Sequence, residues 1–336
     1  MKAAVIQQHG GPGTIAIESG FEDPKPGAED VVIKVGATSL NYHDVFTRNG
    51  MPGIKVPMPC IMGLDFAGEI VEVGSDVKDW KVGQRVLIDP VDRVGPGGLI
   101  GEMWHGGLAE FCKVPTHHLV NLPDSVSYED ASCLPVAYGT ALRMMYTIGD
   151  VQAGEKVLVL GASGGVGTCS VLLAKARGCE VIACASSESK LDRLKEMGAD
   201  HGINYTEEDF MKWVWTQFGK PHRRQWEKGV DVVVNFTGGD TWVPSLRVLH
   251  RGGRILTCGA TAGFDPKEDL RFIWSYELKV LGANGWMRDD LETLISMVSD
   301  GSLKPIIDKV VPLEEVNEAF RLLEDREVFG KVVLTP

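Results

Sequence analysis

The stretch Lys156-Val-Leu-Val-Leu-Gly161-Ala-Ser163-Gly164-Gly165-Val166-Gly167 decides the fold. The run Val157–Leu160 is apolar throughout, without the alternation of a half-exposed strand. It predicts a parallel strand covered by helices on both faces. Gly161 permits a tight turn, Gly164 lets main chain approach a pyrophosphate, and Gly167 lets the next helix pack close to the sheet. Ser163, Gly165 and Val166 complete the turn, and the free N–H groups of the helix start face the phosphates. A glycine run alone is weak evidence. This one follows an apolar strand, opens a helix at 166–178 and leads to a second strand at 180–186, the context of a dinucleotide site.

The end of that second strand bears on which dinucleotide. An NAD site places an acid there for the ribose 2′-hydroxyl. Ala185 occupies the position, followed by Ser186, Ser187 and Lys190, which offer hydroxyls and a positive charge to a 2′-phosphate. NADP is therefore the expected cofactor. The competing use of Ser186 and Ser187 is to cap the helix expected at 188–198. Asn235, Gly259, Gly282 and Asn284 follow further core strands at 231–236, 254–259 and 279–285, at the ends that line such a crevice.

Outward from this core the character changes. Residues 3–6, 30–37, 65–74 and 84–89 read as short strands between turns, which predicts an irregular, mostly β, barrel-like domain. The segment 89–107 is a long glycine-rich loop, and 127–149 reads as helical, with a local break near Pro135. Amphipathic helices are expected at 288–299 and 313–324, and FGKVVLTP reads as a last strand that returns to pair with the first domain. The expected organisation is 1–122, first part of the β domain; 123–285, the nucleotide-binding domain; 286–336, the return.

Composition narrows the classes. With 46 acidic against 34 basic side chains the chain carries a net charge of −12, which disfavours nucleic acid and anionic membranes. The start, MKAAVIQQHGGPG, has no apolar core of a signal peptide, and no apolar stretch is long enough to span a membrane. Seven cysteines without a CxxC pair fit a reducing, cytoplasmic setting.

Six stretches together resemble the medium-chain dehydrogenase/reductase superfamily: GLDFAGEIVEVG (63–74), VGQRV (82–86), GGLAEF (106–111), LPVAYGTAL (134–142), GASGGVG (161–167) and GKVVLT (330–335). The resemblance covers nearly the whole chain. It implies an α/β protein, a Rossmann dinucleotide-binding domain plus a discontinuous GroES-like catalytic domain, and a homodimer formed through the strand at 277–283. The family's catalytic zinc ligands fall on Asn41, Leu64 and Val136, and the loop 89–107 has no cysteine for its structural zinc. Two apolar side chains and one amide do not hold the ion, so no metal is expected. A rebuilt site of His43, Asp65 and His105 is the residual metal option.

The zinc-free branch resembles quinone reductases and NADPH-dependent enone or enoyl reductases, so the expected partner is a small electron-poor acceptor. The same resemblance places Asn41, Tyr42, His43, Asp65 and Thr140 around the reaction centre. Tyr42 and His43 are the proton donors by chemistry. His43 serves alternatively as a hydrogen-bond partner of the cofactor ribose. Asn41 offers a hydrogen bond to a carbonyl, Asp44 orients the segment, and Thr140 touches the nicotinamide. Trp104 and Trp286 wall a substrate pocket or pack the domains, and His222, Arg223 and Arg224 form a solvated basic face or, alternatively, touch a phosphorylated substrate tail such as that of coenzyme A. The loop 89–107 is longer than in compact quinone reductases, which keeps an alcohol or carbonyl dehydrogenase without zinc as the alternative.

Overall fold

The apolar run at 157–160 forms the strand Lys156–Val159, with Val157, Leu158 and Val159 fully buried. A computed structural model describes residues 1–51 and 53–336 and divides them into two compact units. Residues Tyr138–Met287 form the second unit, built on six parallel strands. Their order is His201–Asn204, Glu180–Ala185, Lys156–Val159, Val230–Val234, Leu249–Thr257 and Lys279–Gly282. The chain therefore reverses its direction of winding beside Lys156–Val159, the switch point where dinucleotides bind in such sheets. Helices Phe210–Phe218 and Trp242–Val248 bring Val214 and Leu246 into one apolar cluster with Leu158, Ile182 and Ile255. The strand His201–Asn204 lies outside the sequence expectation, because its short run holds one large aliphatic residue, Ile203.

Residues Met1–Ala137 and Arg288–Pro336 form the first unit. Its larger sheet runs Ile307–Pro312, Lys331–Thr335, Asp30–Ser39, Asp65–Val73, Arg85–Ile88 and Leu119–Asn121, and Phe111–Pro115 also pairs with Asp30–Ser39. A second sheet joins Ile15–Glu18, Ala3–Ile6 and Cys60–Ile61. The last strand does return: Val333 pairs with Ser39 and Leu334 with Thr38, antiparallel. The helices at 288–299 and 316–324 form as their apolar spacing requires, the second preceded by a 3-10 turn at Leu313–Glu315.

The first boundary departs from the expected one. The segment 123–137 packs within the first unit rather than opening the second. Ser39 Oγ donates to Ser132 O at 2.7 Å, Arg85 lies over the Tyr128 ring, and Lys304 bonds Asp130 at 2.6 Å. Gly36 is part of the reason, since a Cβ there would lie 2.3 Å from the Tyr128 ring. The helical reading of 127–149 holds only in pieces. After Tyr128–Ser132 come wide π turns at Leu134–Gly139 and Arg143–Ile148 about a short α turn, Thr140–Leu142. Pro135, which lacks an N–H, sits in the first of them.

The seven cysteines are unpaired, and burial pushes the thiols of Cys60, Cys112, Cys133 and Cys258 up to about 12, away from nucleophilic use. Among the described residues no helix is long and apolar enough to cross a membrane.

Candidate active site

In the second unit the glycine turn has the form its residues dictate. Gly161 takes a φ of +63°, and a Cβ on Gly167 would lie 2.2 Å from Gly161 O, so the helix Gly165–Ala176 sits as close to the turn as glycine alone allows. A Cβ on Gly164 would meet only Gly161 O, at 3.7 Å, so this main chain is open to a ligand. Ser163, Gly164, Gly165 and Val166 are partly exposed around a helix start whose first N–H groups have no partner within the helix. A pyrophosphate fits such a cradle.

Along the same sheet edge, Ala185 closes its strand at 1% exposure, with no acid in its place. Ser186 and Lys190 follow, half-buried, while Glu188 is exposed. Ser187 caps its helix, its hydroxyl accepting from Lys190 N. Gly259, Gly282 and Asn284 are exposed at the ends of their strands. Asn235 stands apart from these exposed positions. It is fully buried, its amide donating to Thr241 and Ser245 and accepting from Thr237 N and Gly238 N. It shapes the turn, as an Asn side chain that mimics backbone does. Tyr205, unforeseen in the sequence because its strand was, is 45% exposed beside this edge, its N–H bonded to Ala185 O. Thr140 begins its α turn, and Trp286 is buried against Gly139 rather than lining an open wall.

In the first unit, the helix Tyr42–Asn49 opens at Asn41, whose N–H donates to Asp44 Oδ2 at 2.8 Å. Asp44 thus orients the segment, as expected of it. The Asn41 side chain is engaged: Nδ2 donates to Asp65 Oδ2 at 2.8 Å, and Lys331 Nζ donates to Asn41 Oδ1 at 2.5 Å and to Leu40 O at 2.8 Å. Asp65 also accepts from Val136 N, and Lys331 stands 3.7 Å from its carboxylate. Burial pushes Asp65 up to about 7, against the opposing pull of Lys331 and of the Asn41 and Val136 donors. Burial likewise raises Asp44, whose Oδ1 has no hydrogen-bond partner among the described residues. Asn41 is 6% exposed, so it props Asp65 more than it faces a substrate.

Tyr42 and His43 lie one residue along. Tyr42 is 36% exposed, its ring edge-on to Phe46 at 5.3 Å. His43 Nε2 meets Glu102 Oε2 at 2.7 Å. Burial pulls the imidazole pKa down, but the Glu102 bond and the charges of Asp44, Glu102 and Asp65 outweigh it, leaving His43 above its ordinary value. Glu102 and Lys331 escaped the sequence reading. One lies in an aperiodic loop and the other in a strand where lysine ordinarily marks the wet face.

The family's zinc does not fit here. Leu64 is 1% exposed and apolar, Val136 offers its N–H to Asp65, and Asn41 is bonded to Asp65 and to the Lys331 ammonium. The residual trio does not assemble either: His43 is paired with Glu102, Asp65 with Asn41, and His105 Nδ1 accepts from Ile61 N. Among the described residues, Asp92, His117 and His118 have possible ligand atoms within 4.8 Å of one another. The Asp92 carboxylate already accepts from Val94, Gly95 and Gly97 N–H groups and organises that turn. Trp104 is 40% exposed, and His222, Arg223 and Arg224 lie on a solvated face.

A parallel sheet with an open glycine cradle, joined in one chain to a discontinuous β unit bearing a buried polar cluster, is the plan of a dinucleotide-dependent oxidoreductase. The chain belongs to the medium-chain dehydrogenase/reductase superfamily: residues 27–124 match the alcohol dehydrogenase GroES-like domain, and residues 165–300 match the zinc-binding dehydrogenase domain. The acryloyl-coenzyme A reductase of Sulfurisphaera tokodaii is 32% identical over 333 residues, 94% of each chain. The quinone oxidoreductase of Rattus norvegicus is 28% identical over 343 residues, 99% of this chain and 97% of that one. Among solved structures, an NAD-dependent alcohol dehydrogenase superposes with a TM-score of 0.91 at 34% identity over 100% of both chains. The 2-octenoyl-CoA carboxylase reductase CinF, in complex with NADP and 2-octenoyl-CoA, superposes with a TM-score of 0.83 at 25% identity, covering 96% of this chain and 82% of that one.

Proposed function

We propose that the chain is a zinc-independent, NADPH-dependent reductase that delivers a hydride to a quinone or to an activated carbon–carbon double bond, an enone or enoyl thioester. The observation that carries this reading is the replacement of the zinc ligands by Asn41, Leu64 and Val136, with Asn41 tied to Asp65 and Lys331. Without a Lewis acid, hydride addition to an isolated carbonyl concentrates charge on one oxygen. A conjugated acceptor spreads that charge, so neutral donors and one imidazole suffice. The relatives named for acryloyl-coenzyme A and quinone reduction support the same chemistry. His43 is the proton donor in this reading, with Tyr42 beside it, and Thr140 meets the nicotinamide. NADPH, when bound, supplies the hydride.

The test compares an enone with the saturated ketone of the same skeleton, after dialysis against a chelator. The enone is expected to win in kcat/KM by about 10², the worth of one missing oxyanion contact, with a saturated ketone as product by mass spectrometry. A faster saturated ketone yielding an alcohol, or activity lost with the metal, would sink the reading. That outcome favours the second reading, an alcohol or carbonyl dehydrogenase without catalytic zinc, which the superposition on an alcohol dehydrogenase supports.

NADPH preference rests on Ala185, Ser186 and Lys190. Lys190→Ala is expected to weaken NADPH by about tenfold, one charge-assisted hydrogen bond, and to leave NADH unchanged. Equal wild-type dissociation constants for the two cofactors would refute the assignment. The cofactor-binding part extends to Gly161, Ser163, Gly164, Gly165, Val166, Gly167, Gly259, Gly282 and Asn284.

A homodimer is the expected assembly. Lys279–Gly282 is the edge of its sheet, with Lys279, Val280 and Gly282 exposed, and a second copy's strand would satisfy it. A monomeric mass by light scattering at micromolar concentration would contradict this. The seven unpaired cysteines favour a reducing, cytoplasmic site of action.

A further inference from the structure

We propose that Glu102 is a positioning residue for the reaction: its carboxylate holds the Nε2–H of His43, so that the imidazolium offers its Nδ1–H to the substrate. The inference rests on the reading of His43 as proton donor.

A carboxylate is costly to bury unless something pairs with it. Glu102 is 4% exposed, in a glycine-rich loop 59 residues from its partner, and nothing in the turn itself calls for an acid: the turn is held by the Glu102 N–H on Leu99 O. The partner is the imidazole of His43, which keeps 28% of its side-chain surface exposed, against 5% for Glu102. The acid is thus inside and the imidazole reaches outward, the order in which a buried group orients a working one. With Nε2 committed to Glu102, the ring proton left to give is the one on Nδ1.

The other groups facing His43 come from every neighbouring element. Asp44 lies on its own helix, Asp65 on the strand Asp65–Val73, and Lys331 on the terminal strand beyond Asp65. On the far side of Glu102, burial and the Glu102 charge hold the Cys60 thiol protonated. The acids outnumber Lys331, which favours the charged, proton-donating imidazole.

The step balances as follows. Hydride adds to the β-carbon, the alkene electron pair moves towards the carbonyl oxygen, and the α-carbon takes the Nδ1 proton of His43. NADPH is oxidised, the alkene is reduced, and neutral His43, still donating Nε2–H to Glu102, is reprotonated by solvent.

The test uses Glu102→Gln and Glu102→Asp in the intact protein. The titration of His43 is followed by NMR without cofactor or substrate, and kcat/KM for an enone is followed against pH. A donor must be protonated, so activity falls as pH rises through the His43 pKa. In Glu102→Gln both the titration and this limb are expected to move to lower pH together. At neutral pH, kcat/KM should drop by about 10-fold to 100-fold, short of the ~10²–10⁴ that a general acid supplies. NADPH affinity should hold, and Glu102→Asp should recover part of the loss. A His43 titration that stays in place in Glu102→Gln overturns the proposal, and so does a limb that does not follow it. Should Glu102→Gln fail to fold, Glu102→Asp is read by the same two curves. If the wild type reduces no conjugated acceptor, the reductase reading falls by itself, while the NMR titration still decides whether Glu102 governs His43.

Discussion

His43→Ala is expected to lower kcat on a conjugated substrate by about 10²–10³, corresponding to roughly 2.7–4 kcal/mol of barrier, with NADPH affinity held within about twofold. The size follows from what the site lacks. No metal ligands stand at Asn41, Leu64 and Val136, and Asn41, Asp65 and Lys331 are bonded to one another. Tyr42 and His43 both keep a proton to give and an exposed edge, and of the two it is the imidazole that a buried acid, Glu102, holds. An interaction made in the transition state and not in the ground state lowers kcat and kcat/KM together. Stopped-flow single turnovers with NADPH give kcat free of product release, and fluorescence titration gives the cofactor dissociation constant. A variant with wild-type kcat and weakened NADPH binding would assign His43 to the ribose instead.

Lys331→Met is expected to cost about 3–5 kcal/mol of stability at pH 8, the usual loss when one partner of a buried ion pair is removed. The ammonium is 2% exposed and serves Leu40 O, Asn41 Oδ1 and the Asp65 carboxylate. Methionine fills the volume but leaves Asp65 beside Asp44 without a cation. The penalty has a definite sign with pH. Asp65 is raised in the folded protein, so the folded state holds a proton that the unfolded state releases, and stability falls as pH rises from the ordinary carboxylate range to about 7. Without Lys331 that rise is larger and the decline continues above 7. Urea unfolding of both proteins between pH 5 and 9 should show a gap that widens with pH. A constant gap would mean that Lys331 acts through packing alone.

The nucleotide half of this arrangement is legible in the sequence because it depends on local chemistry. Gly161 takes a left-handed backbone angle that glycine adopts without strain, and Gly167 meets a 2.2 Å approach to backbone that no side chain tolerates. The apolar strands carry their burial in their composition. The returning strand was readable as a strand, and its pairing follows from the two-unit plan. What escaped depends on distant partners. Nothing in GEMWHGG says that Glu102 is buried, since the loop has neither the period of a strand nor that of a helix. Lys331 sits in a strand, and only Asn41, 290 residues away, explains why its charge is inside. Asn235 shows another limit: a strand-end position says nothing of the turn that its side chain holds together, through the N–H groups of Thr237 and Gly238. The boundary near 123 was misplaced because the packing of Tyr128 on Gly36 and Arg85 is tertiary.

The strand Lys331–Thr335 also sets a timetable for the protein's birth. On the ribosome, Asp30–Ser39 and Asn41 emerge early, and the whole parallel-sheet unit is synthesised before the strand that completes their own sheet. The inserted unit has every strand it needs and can fold as a unit while translation continues. The first unit must meanwhile wait with a sheet edge unpaired and with Asp65 lacking its counter-charge. The buried cluster of Asn41, Asp65 and Lys331 therefore comes into being only when residue 331 has cleared the exit tunnel. A chain stalled before that strand would hold a formed glycine cradle and a first unit whose sheet still lacks its last strand.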